Sequence, residues 1–136
     1  MRLSDLVKSA AALSALAAGP ALAEEMDVGE FLYNQYCATC HGDGGTGTGP
    51  LTELLTVSPT DLTGLAQAND GVYPMLKVVH VIDGRTGVRA HGGPMPTYGQ
   101  IFMEDSDTGL KGDYSPVLMT RGRVMSLALY LESLQK

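Results

Sequence analysis

One pentapeptide constrains this chain more than any other feature. Residues 37–41 read Cys-Ala-Thr-Cys-His, and the pattern C-x-x-C-H is the attachment site of a c-type haem. Each thiol can add to one vinyl group of the porphyrin, and the adjacent imidazole is then held over the iron. The pattern therefore predicts one covalent haem c, bound through Cys37 and Cys40, with His41 as the proximal iron ligand.

Three other kinds of site also use paired cysteines: a redox-active dithiol, half of a zinc site and a structural disulfide. A thioredoxin-like dithiol needs no following histidine and usually lies in a βαβ unit, which this sequence does not indicate. A zinc site needs two more ligands at metal spacing, and the chain contains only 2 cysteines. Covalent haem is therefore the favoured interpretation.

The first 23 residues have the pattern of a secretory signal peptide. A weakly positive start precedes an apolar run over residues 9–18, and Ala21-Leu22-Ala23 has the small–x–small form of a cleavage site. A membrane anchor is the alternative, but about ten apolar residues, broken by Gly19-Pro20, are too few to span a bilayer. We expect cleavage after Ala23, export to the periplasm, and a single mature domain over residues 24–136.

The predicted mature chain is acidic. The full sequence has 9 basic and 15 acidic residues, and the leader removes Arg2, Lys8 and Asp5, which leaves 7 and 14. Because nucleic-acid binding needs a basic face, this composition argues against a nucleic-acid partner. No later segment is long and apolar enough to predict a membrane span in the mature chain.

Helical patterns mark both ends of the mature domain. Asp27 followed by Glu30 is a capping-box pattern, which predicts a helix from Val28 to about Tyr36. Towards the C-terminus, apolar residues recur at helical spacing from Val124 to Leu134. Ser115-Pro116 can supply the N-cap and first turn of that last helix.

A third apolar pattern lies between them. Met75, Val78, Val79 and Ile82 fall at helical spacing, after Pro74 and before Asp83-Gly84. The run of β-branched residues over 78–82 is equally compatible with a strand. A helix here gives an all-α domain with long irregular loops, which is the expected fold class.

Several motifs around the pentapeptide agree with one family. Gly29 and Tyr33 lie eight and four residues before Cys37, Gly49-Pro50 follows the motif, and Met95-Pro96 and Tyr130-Leu131 come later. These resemble the motifs of class I c-type cytochromes, which are monohaem electron-transfer proteins. The resemblance implies a cytochrome c fold in which the first and last helices cross near Tyr130. It also implies that the backbone carbonyl of Pro50 accepts a hydrogen bond from His41.

Two further stretches resemble a bacterial subgroup of these cytochromes. They are Pro59-Thr60-Asp61-Leu62-Thr63 and the segment from His91 to Gly99, which contains Met95-Pro96-Thr97-Tyr98. The subgroup usually has a tryptophan where this chain has Tyr98.

Met95 is the predicted sixth ligand of the iron. Gly93, Pro94 and Pro96 surround it, so it lies in a stiff, non-helical strap, whereas the other methionines have the settings of packing residues. The alternatives are an open coordination position or a second imidazole, from His91 or His80.

The haem propionates are carboxylates that need donors when they are partly buried. Arg85 and Tyr98 are the predicted donors. For Arg85, an ordinary surface charge is the alternative interpretation.

Together these features predict a periplasmic carrier of single electrons rather than an enzyme. Its partners would be redox proteins, a donor and an acceptor. Two alternatives stay open: a permanent haem subunit of a larger periplasmic dehydrogenase or oxidase, and an open-site haem enzyme or sensor.

Overall fold

The computed structural model describes residues 27–85 and 93–136. Within these ranges all regular structure is helical: α1 (Val28–Tyr36), α2 (Ala38–His41), α3 (Met75–Asp83), α4 (Tyr98–Asp105) and α5 (Ser115–Ser133). The long α2–α3 loop contains three single-turn 3₁₀ helices: Thr52–Leu54, Leu62–Gly64 and Gln67–Asn69. The all-α prediction is confirmed. The predicted leader and His91 lie outside the described residues.

Helix α1 begins where the capping pattern predicts. The carboxylate of Asp27 accepts hydrogen bonds from the backbone N–H groups of Gly29 and Glu30, at 2.8 and 3.1 Å. These bonds satisfy two N–H groups that have no partner within the helix. Leu32 and Tyr33 point into the core, and the helix ends at Tyr36, immediately before Cys37.

Helices α1 and α5 cross at Gly29. A β-carbon at this position would overlap the backbone oxygen of Ser126 and lie 2.7 Å from the β-carbon of Tyr130. Only glycine allows the two backbones to approach so closely. Beside the crossing, the rings of Tyr33 and Tyr130 pack with their centroids 5.3 Å apart. The predicted contact between the first and last helices is thus confirmed.

The segment over 75–83 is a helix, not a strand. Val78 and Ile82 are buried, one turn apart, against the core that α5 supplies. Gly84 ends α3 with φ of 65°, in the left-handed conformation that favours glycine. Helical burial of one face therefore outweighs the β-propensity of the branched side chains.

Helix α4 is not indicated by the sequence pattern. Its centre is Phe102, which is fully buried, with its ring 5.3 Å from that of Tyr36 and 5.9 Å from that of Tyr98. The helix is short, and the two buried rings of Tyr98 and Phe102 attach it to the core. A helix attached in this way does not need apolar residues that repeat along its length.

The start of α5 differs slightly from the prediction. Ser115 is the first helical residue rather than the N-cap, which is Tyr114. The carboxylate of Asp113 accepts from the Ser115 N–H at 2.8 Å and so takes over the capping role.

None of the helices in the described part of the chain is both long and apolar enough to cross a membrane.

Candidate haem-binding site

The helices and the long α2–α3 loop enclose one large cavity. Its volume is about 620 Å³, within the range of roughly 300–1,000 Å³ that is usual for ligand and cofactor pockets. Most of its lining residues are apolar. Helix α3 contributes Val78, Val81 and Ile82, and α5 contributes Leu127 and Leu131.

The Cys-Ala-Thr-Cys-His motif forms one wall of this cavity. Cys37, Cys40 and His41 all line it, and the helical turn of α2 brings them together. The backbone N–H of His41 donates to the carbonyl of Cys37 at 2.9 Å, which closes the turn. Three residues that are close in sequence thus present two thiols and one imidazole to the same space.

The Gly49-Pro50 turn supports the motif from behind. The Gly49 N–H donates to the Cys40 carbonyl at 3.1 Å, and the Leu51 N–H donates to the Thr39 carbonyl at 3.0 Å. A β-carbon on Gly49 would lie 2.6 Å from the carbonyl carbon of Cys40. The glycine is therefore needed for this close backbone contact.

Both cysteines are free thiols in the structure. Burial, with a smaller contribution from Cys40, raises the pKa of the Cys37 thiol to about 12. The thiol is thus neutral around pH 7, as expected for an apolar pocket.

Within the described ranges, no group of three or more histidine, cysteine or acidic side chains is arranged to hold a metal ion.

The ring of His41 is oriented by a backbone carbonyl. Its Nδ1 atom lies 3.0 Å from the carbonyl oxygen of Thr60. Because a carbonyl can only accept, Nδ1 carries the proton, and Nε2 keeps a lone pair for a metal. The predicted acceptor, the Pro50 carbonyl, is wrong for this structure, in which Thr60 fills that role from the opposite end of the long loop.

The loop that carries Thr60 is itself fixed. The carboxylate of Asp61 accepts from the backbone N–H and the hydroxyl of Thr63, at 2.8 and 2.7 Å. These two bonds hold the pKa of Asp61 below its usual value. They begin the 3₁₀ turn Leu62–Gly64 and so stabilise the backbone beside the Thr60 carbonyl.

Met95 lines the same cavity as the motif. The other methionines of the described residues do not: Met75 packs against the core, Met103 lies in α4, and Met119 and Met125 are exposed on α5. His80 is exposed on α3 and is not among the residues that line the cavity. Among the described candidates for a second axial ligand, Met95 is therefore the one in position.

The lining residues fit haem c by their chemistry. Thioether formation needs two thiols, iron ligation needs an imidazole with a free ring nitrogen, and the porphyrin needs an apolar enclosure. Cys37, Cys40 and His41 supply the first two requirements, and the walls from α3 and α5 supply the third.

A family comparison agrees with this geometry. The family described as cytochrome c oxidase, cbb3-type, subunit III matches residues 24–108, which is more than half of the chain. The chain belongs to this family. No curated protein and no solved structure gives a match. Membership makes the chain a c-type cytochrome domain whose function is haem-based electron transfer.

Tyr98 lines the haem cavity of this cytochrome, but its proton is used elsewhere. The hydroxyl donates to the backbone carbonyl of Tyr36 at 2.6 Å. Burial, with the nearby Cys37, raises the pKa of Tyr98, so the phenol stays protonated. The donation from Tyr98 to a propionate stays a prediction. The hydroxyl connects α4 to the end of α1.

This bond gives a stability prediction. Tyr98→Phe removes the hydrogen bond from the phenol to the Tyr36 carbonyl, and we expect the free energy of unfolding to fall by about 1 kcal/mol. Chemical denaturation of the holoprotein measures it. Tyr114→Phe is the matched control, because Tyr114 is exposed and its loss should change stability by less than about 0.5 kcal/mol. Equal effects of the two variants would mean that the bond contributes nothing.

Arg85 is also placed differently from the prediction. Its guanidinium forms a two-pronged ion pair with Asp83, with N···O distances of 2.8 and 2.7 Å, and it does not line the cavity of the cytochrome. The pair holds the pKa of Asp83 below its usual value. It also lies against Gly99 at the start of α4, where a β-carbon would be 2.6 Å from the Arg85 Nε atom. The role as a propionate donor stays a prediction; in this structure Arg85 joins α3 to α4.

Sequence reasoning missed one charged residue of the cytochrome's cavity. Lys77 lines it together with Pro74, Val78 and Val81. Helical spacing is the sequence signal that could have identified Lys77, because positions 74, 77, 78 and 81 share one side of a helix. The neighbouring positions 75, 78, 79 and 82 define the apolar face, so the lysine lies at the border between that face and solvent.

Proposed function

We propose that this c-type cytochrome domain is a periplasmic carrier of single electrons. It holds one haem c through thioethers to Cys37 and Cys40, with His41 and Met95 as axial ligands. The observation that carries the proposal is the composition of one cavity: both motif thiols, the motif imidazole and one methionine, between apolar walls.

Bound haem c supplies a one-electron couple between ferric and ferrous iron. The residues of the chain set the conditions for it. His41, with Nδ1 donating to Thr60, presents Nε2 in a fixed ring orientation. A thioether from Met95 would leave no coordination position for a substrate, which favours electron transfer over catalysis. The apolar side chains from α3 and α5 keep water away and favour the less charged, reduced state.

Export before haem attachment is part of the proposal. The Ala21-Leu22-Ala23 pattern predicts cleavage after Ala23, and the family match begins at residue 24. Both observations support a mature domain that starts near Glu24 and receives its haem outside the cytoplasm.

Covalent attachment is the first test of the proposal. After acid-acetone treatment, intact mass spectrometry should find the haem still bound to a chain that begins near Glu24. Cys37→Ala and Cys40→Ala should each leave a single thioether, and the double variant should release its haem entirely. A wild-type chain that releases haem and keeps two free thiols would contradict covalent binding.

A second candidate function follows from the family itself. Its description names a subunit of an oxidase, and the second candidate is therefore a fixed haem subunit of a larger complex. Haem staining after native electrophoresis of a periplasmic extract separates the two. A free carrier migrates as the isolated domain, whereas a fixed subunit migrates with the complex and does so at every protein concentration.

A further inference from the structure

We infer that Lys77 is the cation that pairs with the carboxylates of the bound haem, an inference that rests on the proposed function. Of the described cationic residues, Lys77 is the one that lines the cavity. Arg85 is paired with Asp83 and Arg123 with Asp105. The remaining three, Lys111, Arg121 and Lys136, are exposed and are not among the lining residues.

The charge of Lys77 has no partner in the described part of the chain. Lys77 forms no ion pair there, and no aspartate or glutamate of the described residues lines the cavity. A solvent-exposed ammonium group beside an apolar cavity, with no acidic partner among the described residues, can form a charge-assisted contact with an anionic ligand. Haem c carries two carboxylates, which match this requirement.

Two other polar side chains of the lining, those of Tyr98 and Asn69, are less suited to pair with a haem carboxylate. The hydroxyl of Tyr98 already donates to the Tyr36 carbonyl, and the amide nitrogen of Asn69 donates to the Val72 carbonyl at 2.7 Å. Lys77 is exposed on α3, and its flexible methylene stem can follow the apolar rim while the ammonium group reaches a carboxylate. The side chain therefore has both the charge and the reach.

This pairing has an electrostatic consequence. A positive charge near the haem disfavours the more positive ferric state, so its removal should shift the midpoint potential to lower values. A direct contact with a carboxylate should also be visible in the vibrations of that carboxylate, which a distant charge would leave unchanged.

The test compares the holoprotein with three variants: Lys77→Gln, Lys77→Arg and Lys111→Gln. Potentiometric titration measures the midpoint potential. Redox-difference infrared spectroscopy, on haem labelled with ¹³C at its carboxyl carbons, follows the carboxylate stretching bands. We expect Lys77→Gln to lower the potential and shift a labelled band, while Lys77→Arg largely preserves both. Lys111 is an exposed loop residue, and its replacement should change neither.

Two results would overturn the inference. If Lys77→Gln leaves the potential and the labelled bands as in wild type, Lys77 is a surface charge. If the potential falls but no labelled band moves, Lys77 acts from a distance and does not contact the carboxylates. Failure of the proposed function gives a different result from failure of this inference. If the wild-type protein carries no covalent haem, both proposals are wrong, and this is known before any variant is compared.

Discussion

Replacing Met95 with alanine is expected to open the iron. The variant should lose the weak near-infrared charge-transfer band of ferric iron bound to a thioether, and its ferrous form should bind carbon monoxide. The midpoint potential should also fall, by a substantial part of the roughly 0.8 V over which axial ligands tune haem proteins. Optical spectroscopy and potentiometric titration of the purified holoprotein measure all three changes.

Met103→Ala is the matched control for this experiment. Met103 is half-buried in α4 and does not line the cavity, so its loss should leave the band in place and carbon monoxide unbound. If Met103→Ala rather than Met95→Ala opens the iron, the assignment of the axial methionine is wrong. If His91→Ala opens it, the two axial ligands are imidazoles.

The second large effect is expected at the crossing of α1 and α5. Gly29→Ala places a methyl group where the Ser126 carbonyl oxygen and the Tyr130 β-carbon already lie. Because the first of these is backbone, one helix must move, and overpacking of this kind costs about 1–3 kcal/mol. Thermal or chemical unfolding of the holoprotein measures the loss.

Gly122→Ala is the matched control, and we expect it to raise the stability rather than lower it. Gly122 is exposed in the interior of α5, and a β-carbon there would have no neighbour within 4 Å. Alanine should therefore stabilise the helix, by roughly 0.5–1 kcal/mol. If the two variants change stability in the same direction, close packing at Gly29 is not what distinguishes the sites.

Local signals in the sequence predicted most of the helical framework. The cap at Asp27 marks the start of α1, and an apolar period of about 3.6 residues identifies α3 and α5. These features depend on residues within one or two turns of each other. Helix α4 has no such period. The buried rings of Tyr98 and Phe102 hold it against Tyr36 of α1, so its formation depends on residues far away in the chain.

In the candidate site, too, the residues that are close in sequence were predictable and the distant one was not. Cys37, Cys40 and His41 are adjacent in sequence, so their convergence follows from one helical turn. The oxygen that orients His41 belongs to Thr60, 19 residues away. Any backbone carbonyl of the long loop has the same chemistry, and its choice depends on how the loop folds.

The roles of the charged residues were the least predictable. Arg85 and Asp83 are two residues apart, and the left-handed conformation of Gly84 turns the chain so that their side chains meet. Arg85 forms this ion pair and does not line the cavity. Lys77 lines the cavity instead, although by sequence it is an ordinary border residue of an amphipathic helix.

Carbon monoxide added to the reduced wild-type protein tests the central claim most directly. If His41 and Met95 both occupy axial positions, the absorption spectrum of the ferrous protein should not change when carbon monoxide is added at neutral pH. Rapid carbon monoxide binding, together with absence of the near-infrared thioether band in the ferric protein, would contradict the account. The site would then be open at the iron, as in a haem enzyme or a ligand sensor.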